Sequence, residues 1–231
     1  MNWIKMQLLN LSPIMQKNKK HISPVYYLLR GLARICFKLF SKTSIEGLEN
    51  IPPYGPLIAV SNHVSYNDPP YIAAIFPRPV FFLGKKELFK NKILGSIMRN
   101  VNVISLDRSG VGLSGLKSAM ELLNEDQVVV IFPEGTTSDT GGLIKGRSGV
   151  SYLAIKSECP ILPISITGTN HFPAWRLWMP LKKVHVHIGT AFTPPIVHGN
   201  ISNDVLNSIT DTIMVRIAYL LPPELRGVYG N

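Results

Sequence analysis

From Gly55 onward, short and continuously apolar runs alternate with stretches of helical character. PLIAVS (Pro56–Ser61), VFFL (Val80–Leu83), VNVIS (Val101–Ser105), QVVVIF (Gln127–Phe132), ILPISIT (Ile161–Thr167) and KVHVHI (Lys183–Ile188) predict six strands. Helices are predicted between and after them, over Pro69–Phe76, Asn91–Arg99, Leu113–Leu123, Arg147–Ser157 and Asp204–Leu220. Strands without polar alternation are buried on both faces, so the pattern predicts an α/β fold with a largely parallel central sheet flanked by helices. Ligands of such sheets gather beyond the carboxyl ends of the strands. His63, Asp107–Arg108 and Pro133–Glu134–Gly135 each stand just past a predicted strand end and are expected to form one site.

The first 45 residues differ in pattern. They carry eight Lys or Arg residues (Lys5, Lys17, Lys19, Lys20, Arg30, Arg34, Lys38, Lys42) and no Asp or Glu. VYYLLRGLARICFKLF, from Val25, places Arg30, Arg34 and Lys38 at a spacing of four, one basic stripe on a helix otherwise built of Tyr26, Leu29, Leu32, Phe37, Leu39 and Phe40. No charge-free run here approaches the roughly 20 residues needed to cross a bilayer. Lys5 interrupts the early apolar run, and no small-residue cleavage site of a signal peptide follows. The pattern predicts an amphipathic helical appendage lying in a membrane interface; a helix packed on the domain with a solvated basic side is the alternative. The expected division is therefore 1–45, an N-terminal membrane-interfacial helical segment, and 46–231, an α/β domain.

Composition narrows the class of partner. The formal charge is +10 over 231 residues, with a pI near 9.7 and a mean hydropathy of +0.16. Such a balance calls for an anionic partner, and the apolar content favours an acidic membrane surface over nucleic acid. Cys36 and Cys159 are the only cysteines, with neither CxxC nor zinc-ligand spacing, so a reducing compartment is the default.

NHVSYNDP (Asn62–Pro69) carries the sharpest chemistry. His63 is a natural proton acceptor for an alcohol, and Asp68 would hold its other ring nitrogen and stabilise the imidazolium. Asp68 ahead of Pro69 and Pro70 also suits a helix N-cap, and the two roles are compatible. FPEGTTS (Phe132–Ser138) is a strand running into a tight turn with amides, a carboxylate and hydroxyls; a plain turn with an exposed glutamate reads equally well. Arg108 offers a fork for phosphate, or an ion pair with Asp107. Lys85 and Lys86 follow VFFL, and KGRSG (Lys145–Gly149) is a Gly-containing turn opening a helix. HFPAWRLWMP (His171–Pro180) suits either a core wall or an interfacial anchor through Trp175 and Trp178. His185 and His187 share one face of a strand without an evident third metal ligand, which fits an ordinary amphipathic strand.

In this order NHVSYNDP, GKKELF, ISLDRSG, FPEGTTS, KGRSGVSYLAIKS and ILPISITG resemble the phospholipid/glycerol acyltransferase family, from about Ile45 to Pro195. The resemblance implies catalytic roles for His63 as general base and Asp68 as its orienting carboxylate. It implies that Arg108 and Lys85 bind the acceptor's phosphate, that Glu134, Gly135 and Thr136 line the acceptor pocket, and that ILPISITG borders the acyl chain. Many members carry arginine after FPEGT, where this chain has Thr137 and Ser138; Arg147 or Lys145 are the candidates to replace it. The implied reaction moves a fatty acyl group from acyl-CoA or acyl-carrier protein to the hydroxyl of 1-acylglycerol-3-phosphate, with no cofactor and no metal. The chain contains no G-x-S-x-G nucleophile elbow, so direct attack by the acceptor hydroxyl is expected rather than an acyl-enzyme. Expected partners are lysophosphatidate, an acyl donor and an anionic membrane at its cytoplasmic face, but not nucleic acid. Another lysolipid acceptor, or acidic-lipid binding without catalysis, is the alternative.

Overall fold

The computed structural model describes residues 22–106, 113–169, 182–197 and 199–230. It contains strands β1 (Ser41–Glu46), β2 (Leu57–Ser61), β3 (Val80–Lys85), β4 (Val103–Leu106), β5 (Val128–Ile131), β6 (Ile161–Thr167) and β7 (Lys182–Ile188). The helices are α1 (Pro24–Phe40), α2 (Asp68–Ile75), α3 (Lys92–Asn100), α4 (Leu113–Asn124), α5 (Gly149–Ser157) and α6 (Asn203–Tyr219). The strands form one sheet in the order β1-β7-β6-β2-β5-β3-β4. All neighbours are parallel except the β6–β7 pair.

Alternate residues of the central strands feed two apolar layers, as the pleat requires. Ile58, Val60, Val129, Ile131 and Ile161 pack with α4, α5 and α6 through residues such as Leu122, Leu153 and Ile213. Leu57, Ala59, Val128, Val130, Leu162 and Ile164 pack on the other face with Tyr71, Ile72 and Phe76 from α2 and its end. Both faces are covered, which explains why these strands show no alternation in sequence.

The pattern of apolar runs does not anticipate β1. SKTSIE is polar, and its residues alternate between half-buried and exposed along an edge strand paired in parallel with β7. β1 also runs through the boundary drawn at residue 45, so the chain enters the sheet directly from α1.

α1 departs from expectation in the direction it faces. Ser23 accepts the Val25 N–H as N-cap, with Pro24 pre-set for the first turn. Two members of the expected outward basic stripe, Arg30 and Arg34, instead point inward, Arg30 being only 8% exposed, while Lys38 stays exposed. Its Nε donates to Ala73 O at 2.9 Å and its Nη2 to Phe76 O, while Arg34 donates to Ala74 O at 2.8 Å and Phe76 O at 3.2 Å. These carbonyls end α2, where the helix has no backbone donors left to offer and the dipole favours cations. Burial pulls the Arg34 guanidinium down to about 10. Tyr26, also buried, accepts the Val80 N–H at 3.1 Å. The outward face is consequently apolar: Val25, Leu28, Leu29, Leu32, Ile35 and Leu39 are all exposed. No described helix is long and apolar enough to cross a membrane.

Candidate active site

Parallel strands place the residues following β2, β3, β5 and β6 along one edge of the sheet. β2 delivers Asn62 and His63. Asn62 is buried and behaves as one more rung of the sheet: its Nδ2 donates to Ile166 O at 2.9 Å and its Oδ1 accepts from Ile166 N at 2.8 Å. This pair of bonds anchors the peptide immediately before His63 to β6.

His63 lies with Nδ1 2.9 Å from Asp68 Oδ2. The aspartate, wholly buried, opens α2 and turns its carboxylate back over the preceding loop. Oδ2 also accepts the N–H groups of Val64 and Ser65, each at 2.8 Å. Asp68 is thus a local anchor and an orienting carboxylate together. A carboxylate at Nδ1 keeps the proton on that nitrogen and leaves the Nε2 lone pair available as a base. The imidazole stacks on Phe132, with ring centroids 4.1 Å apart, which limits its rotation. The His side chain is 15% exposed, enough to meet a substrate from one side.

The turn after β5 grips the same peptide. Gly135, at φ +71°, adopts the left-handed conformation that folds Pro133–Glu134 back toward β2. Glu134 is 2% exposed, and its Oε1 accepts the His63 N–H at 2.8 Å while Oε2 accepts the Ile144 N–H at 3.1 Å. Ser138 N–H donates to His63 O at 2.8 Å. Both carboxylate oxygens of Glu134 are therefore committed to backbone donors, and the FPEGTTS turn holds His63 from both sides of its peptide unit. Thr136 is half-buried in the same turn. Arg147 N–H donates to Pro133 O at 2.9 Å, which brings KGRSG alongside. Lys85 closes β3, half-buried and opposite Leu106 of β4. Arg108, two residues farther on, lies outside the described residues, as do Asp107, Trp175 and Trp178.

Thr169 has no counterpart in the sequence reading. Its Oγ1 donates to Asp68 Oδ1 at 2.5 Å, and it is fully buried. The signal was available: Thr169 stands two residues beyond β6, at the same sheet edge as the other strand-end residues.

Burial pushes the Glu134 carboxyl up to about 7, against the lowering influence of the His63 and Ile144 N–H groups. A carboxyl raised in this way holds its proton more tightly in the folded protein than in the unfolded chain. Its contribution to stability is complete below the ordinary value of 4.5 and is lost as pH rises through about 7. In urea melts across that window, the wild type is expected to lose on the order of 3 kcal/mol relative to Glu134→Gln, in which the group no longer titrates. Parallel pH profiles for the two proteins would show that Glu134 titrates normally.

A mostly parallel α/β sheet with a histidine–aspartate pair and a Pro-Glu-Gly turn at its carboxyl edge is the architecture of an α/β acyltransferase. The chain belongs to the Acyltransferase family, whose profile matches residues 42–167, from β1 to the end of β6. It is similar to the chloroplastic 1-acyl-sn-glycerol-3-phosphate acyltransferase of Brassica napus, at 33% identity over 63% of this chain and 43% of that protein. The 1-acyl-sn-glycerol-3-phosphate acyltransferase of Bacillus subtilis is 26% identical over 63% of this chain and 73% of its own length. The crystal structure of a 1-acyl-sn-glycerophosphate acyltransferase from Thermotoga maritima superposes with a TM-score of 0.65 at 30% identity, covering 82% of this chain and 76% of that one. The match spans less than half the length of the plant relative.

Proposed function

We propose that this protein transfers a fatty acyl group from acyl-CoA or acyl-carrier protein to the free hydroxyl of 1-acylglycerol-3-phosphate, giving phosphatidate for phospholipid synthesis. The observation that carries this reading is the His63–Asp68 contact, with the His63 peptide gripped by the FPEGTTS turn, the imidazole stacked on Phe132 and no hydrogen-bond partner for its Nε2 among the described residues. In the reaction, Nε2 of His63 takes the hydroxyl proton as the oxygen attacks the thioester carbonyl. Asp68 stabilises the imidazolium, the tetrahedral intermediate collapses, and the thiolate leaves with the proton returned from His63. Lys85, which no described acid pairs with, and Arg108 take the acceptor's phosphate. Gly135 and Thr136 border the acceptor, whereas Glu134 acts through its hold on His63. Purified protein supplied with lysophosphatidate and a panel of acyl thioesters is expected to yield phosphatidate and free thiol in equal amounts, read by mass spectrometry. Turnover of other lysolipids in preference to lysophosphatidate would reassign the acceptor, and binding without turnover would remove the enzymatic reading.

The reading extends to the membrane. The apolar outer face of α1 is suited to lie in the headgroup boundary, while exposed Lys38 and Lys42 meet anionic lipid at the cytoplasmic face. Each buried Leu or Ile contributes on the order of 1 kcal/mol or more. The triple variant Leu28→Ser, Ile35→Ser and Leu39→Ser is expected to bind anionic vesicles ~10²-fold more weakly while remaining folded, as measured by cosedimentation. Unchanged sedimentation would exclude α1 as the anchor.

A further inference from the structure

Asp68 is a buried carboxylate both of whose oxygens are held, one by the loop before it and the other by a residue beyond β6. Oδ2 faces His63 and the two loop amides, and Oδ1 faces Thr169 Oγ1, its one donor among the described residues. The approach of Thr169 is built into the backbone. Gly168 turns the chain at φ +84°, and a Cβ there would meet Lys183 O at 2.1 Å. The turn thus requires glycine and delivers the next residue toward α2. A fully buried hydroxyl must place its proton on an acceptor, and Oδ1 is the acceptor offered.

Resting on the acyl-transfer reading above, we infer that Thr169 is a third member of the His63–Asp68 relay, a positioning residue that acts through the aspartate. Its hydroxyl does two things. It fixes rotation of the carboxylate, so that Oδ2 stays in line with His63 Nδ1. It also draws charge toward Oδ1, which weakens the pull of the carboxylate on the imidazole proton. Thr169 touches no reacting atom. Its influence reaches the substrate only through the basicity and orientation of Nε2.

Thr169→Val, close in size but without the hydroxyl, is the discriminating variant. It is expected to lower kcat by about 10-fold with KM for donor and acceptor within about 2-fold, and to move the acid limb of the kcat/KM profile to higher pH by roughly half a unit or more. Thr169→Ser, which keeps the donor and loses the methyl, should restore both. Glu134, the other carboxylate acting on His63, is common to all these proteins, so the differences isolate Thr169. If Thr169→Val does not fold, Thr169→Cys carries the same comparison with a weak S–H donor in place of O–H. NMR titration of the His63 ring should show the same upward movement without any substrate, so it reports on the relay even if the protein acylates nothing. An unmoved His63 titration in a folded variant, or Thr169→Ser behaving like Thr169→Val, would show that Thr169 merely fills space.

Discussion

His63→Ala is expected to lower turnover of lysophosphatidate by at least ~10²-fold while leaving the melting curve nearly unchanged. The size follows from the loss of a positioned general base, which contributes typically 10²–10⁴-fold. The second half of the expectation follows from how the residue is held. The peptide of His63 is fixed by Glu134 and Ser138 through its N–H and C=O groups, which alanine retains. The imidazole itself contributes one bond to Asp68 and a stacking contact with Phe132, and Asp68 keeps its bonds to Val64, Ser65 and Thr169 when the ring is removed. Acceptor KM should change little, because the hydroxyl meets His63 chiefly in the transition state. Near-normal turnover by a folded His63→Ala protein would end the general-base mechanism.

Arg30→Ala is expected to destabilise the protein by about 3 kcal/mol, since two charge-assisted hydrogen bonds are lost from a buried site. Ala73 O would lose its Arg30 donor in a region closed to water, and Phe76 O would keep only the longer bond from Arg34. Arg30→Lys should recover little of the loss, because an ammonium cannot span two carbonyls as the planar fork does. Arg34→Ala should cost less, its bonds being only partly buried. Urea denaturation at fixed pH measures all three, and a loss below about 1 kcal/mol for Arg30→Ala would mean that water replaces the guanidinium at the end of α2.

The central strands were legible because continuous apolar runs such as VVVI and ILPISI have one physical explanation, burial on both sheet faces. The grouping of His63 with the Pro133–Glu134–Gly135 turn at one edge followed from the same parallel arrangement, while Asp107 and Arg108, expected beside them, lie outside the described residues. Three features were hidden for different reasons. β1 is an edge strand whose polar residues satisfy only half a face, so its signal in SKTSIE rests on Ile45 alone. In α1 the four-residue spacing correctly put Arg30 and Arg34 on one face, but spacing carries no information about which face meets the protein. The deciding fact, a set of unpaired carbonyls at the end of α2, lies some 40 residues away in sequence. Glu134 and Thr169 were hidden by direction: a carboxylate in a turn and a hydroxyl after a strand can each point outward, and only the buried N–H of His63 and Oδ1 of Asp68 draw them in.

No linker separates α1 from the sheet. The helix ends at Phe40, β1 begins at Ser41, and the two arginines bolt the helix to α2 in between. A domain on a flexible tether samples many heights above the surface that holds it, and its substrate must wait for the right one. Here the helix and the dyad-bearing edge move as one body, so the standoff between His63 and whatever plane supports α1 is a constant of the fold. On the proposed acyl-transfer reading, the depth from which a lipid hydroxyl is drawn would then be set by the geometry of the protein rather than by diffusion of a leash.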